Sequence, residues 1–419
     1  MPISFHRQQL LKIYNHALQA VHGRRCVARY LQQYQPFNKK QTLAVIAIGK
    51  AAPAMMLGAL DVFGEQVQQG LLITKQGLLT PNKSFSQSNI LCLEAGHPVP
   101  NQQSLDAGQQ LITFIQNLPE NIPVLCLISG GASALVEVLP NHLCLADLQH
   151  VNQYLLSSGL DIQQMNVIRQ QLSCIKEGRL ISYFQPQQSV LGLYISDVPN
   201  DELSIIGSGL LVAPKIMSDE QQALVDKVFD ELVLSSSNNP LYSKQNQPVV
   251  VENHVIASSS IARLAALDKA RELGLNPIYC ADELLIGDVF EAANSIVQQL
   301  RRTTGLSIWS SETTVQLPEI IGRGGRCQTL ALAIAQKIAG DENCFVLAGG
   351  TDGNDGSHFV AGALIDGQSI ETGKTQGLDA NDYLQRADAG SFLDVTGDLI
   401  DTGETSTNVM DLILAWRVT

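Results

Sequence analysis

Arginine and aspartate recur at two glycine-rich turns between Trp309 and Gly356. The first, GRGGRCQ, sets Arg323 and Arg326 among glycines that let backbone N–H groups approach an anion. The second, AGGTDGNDG, follows the apolar run NCFVL and carries Asp352 and Asp355. A strand that ends in such a turn is where an open α/β sheet holds its ligands. Carboxylates facing an Arg-Gly loop suit a metal–phosphate complex; the plainer alternative is a pair of glycine turns with solvated charges. Between the turns, TLALAIAQKIAG has helical spacing and a glycine stop, and upstream SIWSSETTVQL alternates like a strand or tight strand pair. A right-handed crossover places a helix start and the following strand's end on one sheet edge, so Arg326 and Asp352 should converge on one ligand.

Four further stretches could contribute chemistry. AIGKAA puts Lys50 after a buried strand and at a helix start, where a cation opposes the helix dipole unless an anion joins it. LISGGASALV places Ser129, Gly130, Gly131 and Ser133 between a strand and a helix, a nest of N–H groups suited to phosphate or carboxylate. ISDVPNDELSIIGSG ends a strand with Asp197, a position that suits Mg²⁺ or a hydroxyl proton, and closes on a Gly-Ser-Gly turn at Ser208. GHPVPN presents His97 at a strand exit, where a turn histidine bonded to backbone is the preferred reading. NVIRQQLSCIKEGRL carries Arg169 and Lys176 on one helical face, either an inner basic face or a solvated one. The P-loop, the G-x-S-x-G elbow and G-x-G-x-x-G are all missing.

The elements that must position these residues read as α/β. TLAVIAIG, GLLITK, NILCLEAG, PVLCLISG and SVLGLYISDVP are strand candidates interleaved with helices, which predicts a Rossmann-like, doubly wound parallel sheet. The polar segment 235–247 reads as a linker, so the expected division is an N-terminal domain over 1–240 and a smaller C-terminal α/β domain over 241–419. The N-terminal helices bury a stripe through Leu10, Leu11, Ile13, Tyr14, Leu18, Val21 and Leu31. The 419 residues are 45% hydrophobic and 16% charged, with a net charge of −13. That charge argues against a nucleic-acid partner but leaves small anions open. Eight cysteines without a C-x-x-C pair lie mostly in apolar runs, as reduced core thiols of a cytoplasmic protein would. No apolar run is long enough for a membrane span and no signal-peptide core is visible.

Taken in order, AIGKAA, GHPVPN, LISGGASALV, NVIRQQLS, ISDVPNDELS, SETTV, GRGGRCQ, AGGTDGNDG and TGETSTNV resemble the glycerate 2-kinase family, whose C-terminal part is the MOFRL domain. The resemblance runs nearly the whole chain. It implies ATP- and Mg²⁺-dependent phosphorylation of D-glycerate at its 2-hydroxyl, in an active site in the cleft between the domains. It also implies that Lys50 and Arg326 are the catalytic pair, with Arg323 close by. The assignment built on it gives Lys50 and the nest at Ser129, Gly130, Gly131 and Ser133 to phosphate, with Ser208 in the same binding set. Asp352 and Asp197 go to Mg²⁺, one of them also taking the hydroxyl proton. Arg326 goes to the substrate carboxylate or transferring phosphate, and Glu312 and Asn408 orient substrate or nucleotide. The expected partners are small molecules, with a homodimer left open.

This chain departs from the family pattern at several motifs. SSE (310–312) stands for SGGE, GGRCQT for GGRNQE, SGLL for SGPT, TDGNDGSH for TDGxDGPT, and TGETSTN for TGPTGTN. Two rival readings therefore stand beside the kinase: a hydroxypyruvate reductase using NAD(P)H, and a catalytically impaired ligand-binding relative.

Overall fold

The computed structural model describes residues 4–38, 41–79, 85, 89–160, 162–213, 217–232, 249–356 and 360–418. The expected linker at 235–247 lies outside these. The chain divides into two compact bodies, Gly23–Ile256 and Met1–His22 together with Ala257–Thr419. This differs from the single cut expected at 240/241. The first helix, α1 (Phe5–Val21), belongs with the C-terminal residues, and VVENHVIA, expected in the second domain, joins the first sheet.

After α1 the chain builds the first body from α2 (Gly23–Tyr34), β1 (Leu43–Ile48), α3 (Ala52–Phe63), β2 (Val67–Lys75), β3 (Ile90–Ala95), α4 (Gln102–Gln116), β4 (Val124–Ile128), the single turn α5 (Ala132–Leu135), α6 (Leu145–Ser157), α7 (Ile162–Gln171), β5 (Ser189–Ile195), α8 (Asp219–Glu231) and β6 (Val250–Ala257). The strand order is β3-β2-β1-β4-β5-β6, and the pairs from β3 to β5 are parallel. That is the doubly wound order expected. Every residue of β1 and β4 is buried, which is why LAVIAI and VLCLI carry no polar side chain. The order reverses between β1 and β4, so the turns after these two strands flank the switch point.

The second body continues with α9 (Ser259–Glu272), β7 (Ile278–Cys280), β8 (Leu285–Asp288), α10 (Val289–Arg302), β9 (Gly305–Thr314), α11 (Arg326–Lys337), β10 (Cys344–Gly350), β11 (Gly362–Asp366), the short helices α12 (Ser369–Thr375), α13 (Ala380–Gln385) and α14 (Ala389–Thr396), β12 (Leu399–Ile400) and β13 (Asp411–Arg417). Its sheet runs β12-β11-β10-β13-β9-β7, with β8 also on β9. Because β13 is antiparallel to both β9 and β10, those two strands are parallel to each other. The ends of β9 and β10 and the start of β13 therefore share one edge. Ile296 of α10, Leu330 and Ile334 of α11, Val346 and Ile413 form part of the core under them.

The helix α1 is built into this second body by specific bonds. Arg7 pairs with Asp366 at 2.9 Å and Asp398 at 2.8 Å. Tyr14, fully buried, donates its hydroxyl to the Gly350 carbonyl at 2.7 Å, at the end of β10. Tyr14→Phe removes that short bond and leaves the carbonyl the longer one from the Gly353 N–H, at 3.3 Å. It should lower unfolding free energy by about 1–2 kcal/mol, read from urea denaturation. Wild-type stability would show the bond to be dispensable.

Candidate active site

Two clusters carry the predicted residues, one in each body. In the first body the turn after β1 and the turn after β4 are bonded together. Lys50 donates its backbone N–H to the Gly130 carbonyl at 2.9 Å, and Ala51 donates to Ser129 Oγ at 3.1 Å. The Ser129 hydroxyl, fully buried, thus caps the start of α3 and faces protein backbone. The helix after the glycines is one turn long, so it adds little dipole to the expected anion nest.

What the glycines do instead is admit ionisable side chains. A Cβ built on Gly130 would lie 2.0 Å from Asp197 Oδ2. One on Gly131, whose φ is +85°, would lie 2.9 Å from His97 Cδ2 and 3.3 Å from Lys50 Cγ. Any side chain at either position would therefore displace Asp197, His97 or Lys50. Ser133 and Ser208 meet hydroxyl to hydroxyl at 2.8 Å nearby, with Ser208 held at φ +58°. The structure thus brings Lys50, Asp197, Gly130, Gly131, Ser133 and Ser208 to the switch point, and adds His97, which the sequence favoured as a turn residue. Burial, and then the charges of Lys50 and Lys75, lower the His97 pKa to about 4, so its imidazole is neutral at neutral pH. Arg169 and Lys176 serve elsewhere. Lys176 is buried against Glu137 at 2.5 Å, and Arg169 donates to Asn152 at 2.9 Å.

In the second body the key side chains gather where β9, β10 and β13 share an edge. Asp355, buried in the turn after β10, accepts from the Cys327 N–H at 3.0 Å and the Gln328 N–H at 2.8 Å. A Cβ on Gly325 would lie 2.3 Å from its Oδ1, so only glycine fits there. The anion expected at the GRGGRCQ turn is thus, at this helix start, the protein's own carboxylate. Burial raises the Asp355 pKa to about 6, against the N–H groups of Gln328 and Cys327, which lower it.

Arg326, the first residue of α11, turns to Asp411. Its Nε lies 2.6 Å from Asp411 Oδ2 and its Nη2 donates to Oδ1 at 3.1 Å. Its Nη1 donates to Glu312 at the end of β9. Burial opposes the Arg326 charge, but Asp411 and then Glu312 more than offset this, and the net shift is upward. Asp411 is itself pushed up by burial and pulled back by Arg326 and the neighbouring Cys327 thiol, while Asp352 pushes it up further. Arg326 and Asp352 thus both act on Asp411, on the shared edge where the crossover argument put them.

Asp352 is half-exposed and accepts from the Asn354 N–H at 3.0 Å. Asn408 accepts from the Met410 N–H at 3.4 Å, in the loop that Thr351 ties to β10 through Met410 and Val409. Arg323 points its Nη1 at Asp394, 2.6 Å away, and its backbone N–H at Asp388. It shares no described bond with the Arg326 cluster. Asp411 was missed in the sequence; its one signal was a lone acid opening the apolar run DLILAW.

Comparison with known proteins bears on the chain as a whole. The model of a domain of unknown function, DUF4147, matches residues 9–236, and that of the MOFRL family matches 305–411. The chain is 30% identical to the D-glycerate 2-kinase of Thermotoga maritima, over 96% of each chain. It is 31% identical to the glycerate 2-kinase of Pyrococcus horikoshii, over 92% of this chain and 90% of that one. A protein of Agrobacterium vitis named as a hydroxypyruvate reductase is 34% identical over 88% of this chain and 97% of its own. The crystal structure of the Thermotoga maritima glycerate kinase superposes with a TM-score of 0.84 at 29% identity, covering 98% of this chain and 99% of that one.

Two measurements check this geometry. His97 is neutral in the fold but protonates near 6.5 when unfolded, so acid favours the unfolded state. Stability should therefore fall as pH drops from about 6.5 toward 4, and His97→Gln should flatten that part of the urea-midpoint profile. A His97 resonance titrating near its ordinary value would contradict the burial. Asp355→Asn turns an acceptor toward two N–H donors into an ambiguous amide and should cost about 2–3 kcal/mol of stability. A variant as stable as wild type would show that the helix start does not need the carboxylate. By the extent of these matches, the chain belongs to the glycerate 2-kinase family, joining a DUF4147 region to a MOFRL region.

Proposed function

We propose that the protein is a glycerate 2-kinase that transfers the γ-phosphoryl group of ATP to the 2-hydroxyl of D-glycerate. The observation that carries this reading is the placement of Lys50 with Asp197 and His97 over Gly130 and Gly131, at the switch point of a parallel sheet. Open α/β sheets bind their ligands there. Phosphoryl transfer asks a protein mainly for positioning and for neutralisation of charge. Lys50 supplies the cation for the phosphoryl oxygens. Asp197, packed on Gly130, is the acceptor for the hydroxyl proton. Neutral His97 adds no charge of its own and can donate or accept one hydrogen bond. In the second body Arg326 binds an anionic group of substrate or phosphate, and Asn408 orients it.

Mg²⁺ enters such reactions with the nucleotide, spreading the negative charge of the phosphates. Among the described residues no group of three or more acidic, histidine or cysteine side chains is poised as a closed metal site. That fits an ion held by one carboxylate and by phosphates, and half-exposed Asp352 is the residue that would hold it. The eight cysteines are free and no helix among the described residues is long and apolar enough to cross a membrane. A reducing, cytoplasmic location is part of the same proposal, supported by the free cysteines.

The test is an assay with ATP, Mg²⁺ and D-glycerate, with phosphorus NMR to distinguish 2-phosphoglycerate from the 3-isomer. NADH with hydroxypyruvate is the control for the reductase reading. The turn after β1 offers Gly49 and Lys50 where a dinucleotide site needs several glycines. ADP and 2-phosphoglycerate are expected; NADH oxidation without ATP turnover would overturn the reading. Lys50→Ala should slow turnover about a hundredfold, the worth of one charge-assisted phosphate contact of roughly 3 kcal/mol, while the melting temperature holds. Arg326→Lys keeps charge but loses the fork, and should cut kcat or raise the glycerate KM without changing the Mg²⁺ requirement. Near-normal rates in either variant would remove that residue from the mechanism.

A further inference from the structure

A guanidinium has two edges that can take a carboxylate or phosphate through two parallel bonds: one formed by Nε and one terminal nitrogen, the other by the two terminal nitrogens. In this protein the first edge of Arg326 is taken. Asp411 sits against it, with Oδ2 2.6 Å from Nε as an ion pair outside hydrogen-bond alignment and Oδ1 accepting from Nη2 at 3.1 Å, and it is almost wholly buried at the start of β13. Nothing entering from solvent can exchange with it. The second edge is the only one left for a forked anion, and there Nη1 is bonded to Glu312. The two partners differ sharply in exposure. The Asp411 side chain is 4% exposed and the Glu312 side chain 34%.

We propose that Glu312 is a resident anion: it occupies the substrate edge of Arg326 in the empty enzyme and is exchanged for the anionic group of the substrate, while Asp411 stays bound. This deepens the kinase reading and rests on Arg326 receiving that group. The tethered carboxylate keeps Arg326 paired and aimed when no substrate is present. It also sets a selection threshold, because a ligand must out-compete a carboxylate already in place. A planar carboxylate or a phosphoryl group can do so with two bonds, whereas a neutral polyol cannot. Glu312 thereby sets specificity toward anions, and Asp411 acts as the positioning residue that fixes which edge they meet.

The alternative is that Glu312 works on the substrate directly, orienting a hydroxyl or serving the transition state. The two roles predict opposite signs. Glu312→Gln removes the competing charge and keeps the shape. Its dissociation constant for inorganic phosphate, measured by calorimetry without nucleotide, should fall about three- to tenfold, the scale of one partly exposed ion pair. The glycerate KM should fall with it. Asp411→Asn should give no such tightening, since it loosens the guanidinium itself. If the Gln variant does not fold, Glu312→Ala carries the same expectation. Unchanged or weaker phosphate binding, or a hundredfold loss of kcat at constant affinity, overturns the proposal. Because phosphate binding is read without turnover, a protein that fails to phosphorylate glycerate would disprove the kinase reading and leave this exchange separately decided.

Discussion

The carboxylate of Asp355 does at the start of α11 what a bound anion would do, and the C-terminal cluster follows from it. A helix start leaves N–H groups without partners, and Asp355 takes those of Cys327 and Gln328 from the turn after β10. That fixes the turn to the helix, and Arg326 is the first helical residue, so its direction is set at the same time. With the helix start satisfied internally, the ligand contact proposed for this turn falls to the cationic side chain rather than the backbone. The energetic scale is that of charged hydrogen bonds, about 1.5–3 kcal/mol each, working against the burial that raises the Asp355 pKa.

The two clusters solve the same problem by different means. At the switch point of the first sheet, missing side chains make room: Gly130 and Gly131 let Asp197, His97 and Lys50 approach the backbone more closely than a Cβ would allow. In the second sheet, buried charge sets direction: Asp411 pins one edge of Arg326. A glycine position fails by steric conflict and an ion-pair position by misorientation. Substitutions at the first cluster should thus tend to be all-or-none, and those at the second graded.

Much of this was legible from residues alone, and the reasons are physical. Fully apolar runs such as LAVIAI and VLCLI announce strands buried on both faces, and their alternation with helices pointed to a doubly wound parallel sheet. Lys50, Asp197, Arg326 and Asp352 stood out as charges at strand ends, helix starts and glycine-rich turns, where an unused charge is costly, and Glu312 through the family resemblance. Long-range pairing was harder to read. Nothing local in FHRQQLLKIYNHALQAV says that Arg7 pairs with Asp366 and Asp398, so α1 was assigned to the wrong body. The same limit hid Asp411, whose partner lies 85 residues away, and turned the glycine-rich GRGGRCQ loop from a helix cap filled by Asp355 into an expected anion site.

Cys327 shows how the departures from the family pattern bear on this arrangement. Asparagine stands at this position in the family's GGRNQE, and an amide offers strong donors. The thiol here is fully buried, its pKa pushed up by that burial and by Asp411 and Asp355, so it stays protonated beside Asp411. A thiol is a weak donor. Asp411 therefore draws more of its compensation from Arg326 than it would beside an amide, and burial makes that dependence stronger. A guanidinium committed more firmly on its inner edge keeps its outer edge better aimed. The substitution thus leaves the ion pair intact and shifts its balance toward orientation.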